Sequence, residues 1–131
     1  MMERTQPGID TDVAGPDLAG RHVHFVGIGG AGMTGLAQLV HQHGGICTGS
    51  DRRESDNVAA LRGSGIDVRL DQSARTVPSD AELVVISAAI TDEHPEVVAA
   101  RRRGLTVVKY AAMLGRLMQG QCGVAVAGTH G

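Results

Sequence analysis

The sequence predicts an α/β domain, a parallel sheet wound on both sides by helices. Three observations predict it. Short apolar runs alternate with segments of helical periodicity along most of the chain. A glycine-rich turn joins the first such run to the first helical segment. The 131 residues also hold 19 glycines but only one Phe, one Tyr and no Trp. The core must then be built from Val, Ile, Leu, Ala and Met, which suits helices lying close against strands. The length suits one domain.

The elements follow in order. Residues 21–26 (RHVHFV) are short, apolar-rich and end in glycine, as a strand does. Residues 33–43 place Met33, Leu36, Ala37, Leu39 and Val40 at three- and four-residue spacing and stop at Gly44-Gly45, which predicts a helix. Residues 46–49 are a second strand, 57–62 a short helix ending at Gly63, and 66–70 a third strand. The continuous run LVVIS at 83–87 predicts a strand buried on both faces of a parallel sheet. Pro95 opens a helix that runs through Arg103 and ends at Gly104. Residues 105–108 are a fifth strand and 111–118 a further helix, with Met113, Leu114, Leu117 and Met118 facing the core. Residues 123–127 (GVAVA) predict one more buried strand, and Gly128-Thr129-His130-Gly131 follows it. A strand and a glycine turn with no helix after them suggest a truncation. Strand and helix alternating at this spacing imply right-handed crossovers.

Composition narrows the function classes. A net charge of −2 provides no basic footprint for nucleic acid or an anionic membrane, and one Phe and one Tyr make no base-stacking platform. No apolar run is long enough to span a bilayer. Residues 1–18 are polar, lack the apolar stretch of a signal peptide and are expected to form a mobile tail, so a cytoplasmic protein is expected. Cys47 and Cys122 lie far apart in apolar runs and are expected as reduced core residues.

Chemistry concentrates at the first glycine turn. Gly27-Ile28-Gly29-Gly30-Ala31-Gly32 is G-x-G-x-x-G between a strand and a helix. Gly27 allows a sharp turn, Gly29 lets the backbone approach a diphosphate, and Gly32 lets the helix pack on the strand. The helix N-terminus then faces the anion. Asp51, at the end of the second strand, occupies the place of the acid that contacts a ribose. The expectation from the residues alone is a nucleotide diphosphate on a Rossmann-like, doubly wound sheet.

The run from His24 through Gly27-Ile28-Gly29-Gly30-Ala31-Gly32-Met33-Thr34 to Gly35 resembles the opening of the Mur ligase family, its UDP-N-acetylmuramate–L-alanine ligases in particular. Three more places agree in order: Gly49-Ser50-Asp51, Ile86-Ser87-Ala88-Ala89-Ile90 with the following residues to Glu96, and Ala127-Gly128-Thr129-His130-Gly131. The resemblance implies that residues 19–120 are a domain binding UDP-N-acetylmuramate, and that 121–131 begin a missing central domain that binds ATP and Mg2+. It implies that Gly29, Gly30, Ala31 and Gly32 cradle the diphosphate, with Gly27 and Met33 also among the residues that bind the UDP-sugar. Ser50 and Asp51 would face the uridine end. Ser87, Ala88, Ala89 and Ile90 would lie over the glycine loop, and Gly128, Thr129, His130 and Gly131 would open the ATP loop. His130 matches the alanine-adding members, where siblings that add later amino acids have Asn. The tripeptide-attaching recycling ligase shares the His, but its first loop resembles Gly-Ile-Cys-Gly-Thr. Ala88 stands where the family has a second serine, which removes one hydroxyl, and Thr34 keeps the hydroxyl of a usual Ser. The full enzyme would phosphorylate the lactyl carboxylate with ATP, and the amine of L-alanine would attack the acyl phosphate. No catalytic residue and no metal ligand falls within this chain, which alone is expected to be inactive. The alternatives are the NAD(P)-binding domain of an oxidoreductase, which shares the glycine loop and the acid, and a nucleotide-sensing domain without catalysis.

Other polar residues suggest structural roles. His41 and His43, two apart, do not share a helix face and suit the helix C-terminal dipole. Arg101-Arg102-Arg103 is expected as a solvated helix end. His22 and His24, alternating with Val23 and Phe25, are expected near the sheet edge or a domain interface.

Overall fold

The computed structural model describes residues 18–120. Residues 1–17 of the expected tail, the strand at 123–127, the ATP loop Gly128, Thr129, His130 and Gly131, and Cys122 lie outside the described residues, whereas Leu18, expected to end that tail, is buried in the core at 5% exposure. The described chain runs β1 (His22–Val26), α1 (Ala31–Gln42), β2 (Ile46–Ser50), α2 (Asp56–Gly63), β3 (Asp67–Arg69), a 3-10 turn (Ala74–Thr76), β4 (Leu83–Ile86), α3 (Pro95–Arg102), β5 (Thr106–Lys109) and α4 (Tyr110–Gly120). The strands form one parallel five-stranded sheet in the order β3-β2-β1-β4-β5. This is the doubly wound arrangement expected from the sequence. Its order reverses between β1 and β4, and β1 lies at the centre.

Helix ends account for the small shifts in element boundaries. α1, α2 and α3 close with one motif: Gly44, Gly65 and Gly104 take φ of +91°, +95° and +76°. The next residue's N–H then donates to the carbonyl of Val40, Leu61 or Ala100. Ile66 and Leu105 are used in these caps, so β3 and β5 begin one residue later than the apolar runs suggest. Gly63 lies inside α2, and Gly65 ends it, a correction set by the need for a left-handed residue at the cap.

Alternation along the strands sorts the core into two layers. Val23, Phe25, Cys47 and Val85 pack under α1, α2 and α4, beside Met33, Leu36, Val58, Leu61, Met113 and Leu117. Val26, Val84 and Ile86 pack on the opposite face with Val97 and Ala100 of α3. The run at 83–86 is apolar throughout because β4 buries both its faces. Leu114 packs partly against the first layer, and Met118 is half-buried. Cys47 is buried and reduced, and burial pushes its thiol up from 9.0 to about 12. The described residues contain no helix long and apolar enough to cross a membrane.

Candidate functional site

The glycine loop is built by its own backbone. Gly27 turns at φ +81°, and its N–H and that of Ile28 both donate to the Ser50 carbonyl at 2.9 Å. The Gly29 N–H donates to Asp51 Oδ2 at 2.8 Å, and Asn57 Nδ2 donates to the Gly29 carbonyl at 2.9 Å. The Gly30 N–H donates to the Gly27 carbonyl at 3.1 Å. Gly30 also caps α1 and has no side chain to do so. The N–H groups of Ala31, Gly32 and Met33 therefore open the helix without side-chain caps and with no acidic residue in the first turn. That end carries partial positive charge and suits an anion.

The loop floors a cleft of about 860 Å³ at the carboxyl ends of β1, β2 and β4. Gly27, Gly29 and Gly30 form the floor, Asp51 to Ser55 one wall, and Ser87, Ala89 and Ile90 the other. A Cβ on Gly27 would lie 3.6 Å from Ser87 Oγ and 3.8 Å from Ile90 Cδ1, so the loop after β4 does lie over the glycine loop. Ligands of open α/β sheets bind at such a reversal of strand order.

The structure brings together Gly27, Gly29, Gly30, Asp51, Ser87, Ala89 and Ile90, with exposed Ala31 and Gly32 beside them. Three expected site residues stand elsewhere. Met33 turns into the core at 2% exposure, leaving only its N–H toward the helix end. Ser50 is fully buried, and its hydroxyl donates to Glu96 Oε2 at 2.6 Å, so it cannot meet a ligand. Ala88 is exposed and outside the cleft lining. Two glycine roles also change. A Cβ on Gly32 would stand 2.7 Å from the Tyr110 ring, so Gly32 makes room for α4. A Cβ on Gly29 would stand 2.8 Å from Asp51 Oδ2 and 3.1 Å from Val58 Cγ2, so a larger residue there disturbs the fold as well as any anion.

Sequence reasoning missed Arg52, Arg53, Gln72, Thr91 and His94, which also line the cleft. Arg52 and Arg53 carried a signal, because they follow Asp51 directly and must share its wall. Thr91 and His94 carried one too, because they continue the loop from Ser87 to Glu96 that the resemblance marked, whereas Gln72 reaches the cleft through a chain crossing that local pattern does not reveal. Arg101, Arg102 and Arg103 are exposed, as expected of a solvated helix end, and Arg103 also donates to the Val77 and Pro78 carbonyls at 3.1 and 2.6 Å. One further correction concerns the histidines. His22 and His24 lie on the central strand at 6% and 1% exposure, not at an edge, because β2 and β4 flank β1.

The model of the Mur ligase family, catalytic domain, matches residues 22–121. The chain belongs to the Mur ligase family. It is 45% identical over all 131 residues to the UDP-N-acetylmuramate–L-alanine ligase of Thermobifida fusca strain YX, covering 26% of that relative. It is 50% identical over 109 residues to the ligase of the same name from Chelativorans sp. strain BNC1, covering 83% of this chain and 23% of that relative. The crystal structure of UDP-N-acetylmuramate–alanine ligase MurC from Thermotoga maritima superposes with a TM-score of 0.68 at 33% identity, over 71% of this chain and 21% of that one. The chain thus spans about a quarter of the length of the curated Mur ligases it matches.

Proposed function

We propose that this chain is the UDP-N-acetylmuramate-binding domain of a cytoplasmic ATP-dependent ligase that joins L-alanine to that sugar nucleotide. The observation that carries the reading is the uncapped start of α1 opening at the cleft between β1 and β4. Membership of the Mur ligase family supports the UDP-sugar over NAD(P), and the relatives at 45–50% identity are named for this reaction. The diphosphate would lie on the N–H groups of Ala31, Gly32 and Met33, with Arg52 and Arg53 supplying charge from the wall. Asp51 already accepts from the Gly29, Arg52 and Arg53 N–H groups at 2.8, 2.7 and 3.5 Å. The lone pair that remains is free to receive a ribose hydroxyl. Ser87 would close over the phosphates.

The described residues bind and orient. ATP and Mg2+ belong, on this reading, to the central domain that the resemblance places after residue 120. Calorimetry with UDP-N-acetylmuramate, UDP and NAD tests the reading. The sugar nucleotide should bind, UDP should bind more weakly, and NAD should show no heat. Clear NAD binding without binding of the UDP-sugar would overturn it.

A further inference from the structure

The α3 face of the sheet carries a row of polar side chains that nucleotide binding does not use. His22 and His24 alternate with Val23 and Phe25, which enter the opposite layer. β2 lies beside β1 with Thr48 opposite His24 and Ser50 opposite Val26, so both hydroxyls join the histidine face. Glu96, in the first turn of α3, comes down onto the row and is fully buried.

Four contacts join Asp80 to Glu96. Asp80 Oδ1 lies 3.0 Å from His22 Nδ1, and His22 Nε2 lies 2.9 Å from Thr48 Oγ1. Thr48 Oγ1 lies 2.8 Å from His24 Nδ1, and His24 Nε2 lies 2.7 Å from Glu96 Oε1. Each contact needs one hydrogen between its two electronegative atoms. Two neutral imidazoles and one hydroxyl supply three hydrogens for these four contacts. Ser50 adds none, because its proton is already committed to Glu96 Oε2 while its oxygen accepts from Gln72 at 3.2 Å. Turning a ring over does not help, since each ring uses both nitrogens.

We propose that this row is a binding site for one additional proton, shared by His22 and His24 across the Thr48 hydroxyl. When His24 is the imidazolium, its Nδ1–H donates to Thr48 and Thr48 donates to His22 Nε2. When His22 is the imidazolium, His22 Nε2–H donates to Thr48 and Thr48 donates to His24 Nδ1. The exchange passes one proton from His24 to Thr48 and one from Thr48 to His22, with no change in total charge. The charged groups facing the rings are Asp80, on the segment before β4, and Glu96, on α3. His94 accepts from the Glu96 N–H at 3.1 Å, Arg103 holds the Val77 and Pro78 carbonyls, and Arg21 pairs with Glu82 at the start of β1. Asp80 is 77% exposed and the Glu96 side chain 0%. When the additional proton leaves, the contact that opens is the one at Asp80, because Asp80 is the most exposed member of the row and water replaces the ring there. The row is a proton-operated latch between β1 and the segment carrying Asp80.

Nitrogen-15 spectra of the histidine rings test this in the full chain at neutral pH, since they separate imidazolium from each neutral tautomer. Three of the four ring nitrogens of His22 and His24 should carry protons. Asp80→Asn, a surface change, supplies the missing hydrogen from its amide. Both rings should then be neutral with the proton on Nε2. Glu96→Gln supplies it from the other end, and both rings should be neutral with the proton on Nδ1. Thr48→Val should uncouple the two rings, and Thr48→Ser should restore their coupling. A wild-type chain with two neutral rings, or identical tautomers in Asp80→Asn and Glu96→Gln, would overturn the proposal.

Discussion

The two faces of the sheet are built on different principles. Under α1, α2 and α4 the layer is apolar throughout, from Val23 and Phe25 to Leu117. Under α3 an apolar patch around Val26, Val84, Ile86 and Val97 adjoins the polar row of His22, His24, Thr48, Ser50 and Glu96. An apolar layer loses stability in proportion to the volume removed, because its contacts are many and individually small. A polar row depends on complete pairing, because one missing partner leaves a buried charge or hydrogen-bonding group exposed to nothing. The apolar face carries the glycine loop, and the polar face ties α3 to the strands beneath the same cleft.

Substitutions can sharpen that contrast. Glu96→Ala leaves His24 and Ser50 without their buried partner and should cost about 4 kcal/mol in urea unfolding. A loss under about 1 kcal/mol would show that the polar face behaves like the apolar one. Leu61→Ala, in the fully buried floor of the apolar layer, should cost about 3 kcal/mol by the same measurement. Gly29→Ala forces a Cβ against Asp51 and Val58 and should cost roughly 1–3 kcal/mol, with weakened UDP binding in calorimetry. Unchanged stability with lost binding would return Gly29 to a role toward the ligand alone.

The smallest effect concerns Cys47, on the apolar face. Its thiol is pushed up from 9.0 to about 12 by burial. Below pH 9.0 it is protonated in the folded and unfolded chain and adds no slope to stability. Between pH 9.0 and about 12 the unfolded chain ionises it and the folded chain does not, so stability falls as pH rises. Urea midpoints of the chain and of Cys47→Ala should run parallel below that window, and only the cysteine chain should lose the additional stability within it. Equal slopes within the window would mean that solvent reaches the thiol.

Much of this was legible in the sequence. Every described strand and α-helix was expected within about three residues, because periodicity and glycine stops are local signals. The glycine loop, Asp51 and the loop at Ser87 were legible because a strand-turn-helix that meets an anion needs particular backbone geometry. The 3-10 turn at Ala74–Thr76 was missed: its capping box depends on the Ser73 and Thr76 side chains, in a stretch without apolar period. The place of Ser50 was missed because a hydroxyl after a strand reads the same whether it faces a ligand or a buried carboxylate.

By itself the sequence determined the fold class, the order of elements and the position of the glycine loop. Each of these is a property of residues close together in the chain. Tertiary structure alone decided that β1 is central, which put His22 and His24 in the interior. It alone decided that Glu96, 72 positions after His24, is the histidine's partner. It also decided that Gly49 makes room for Ile28 and Gly32 for Tyr110. The physical reason is that burial and pairing depend on which elements the crossovers bring together. A polar side chain in a strand carries no mark of the distant group that will satisfy it.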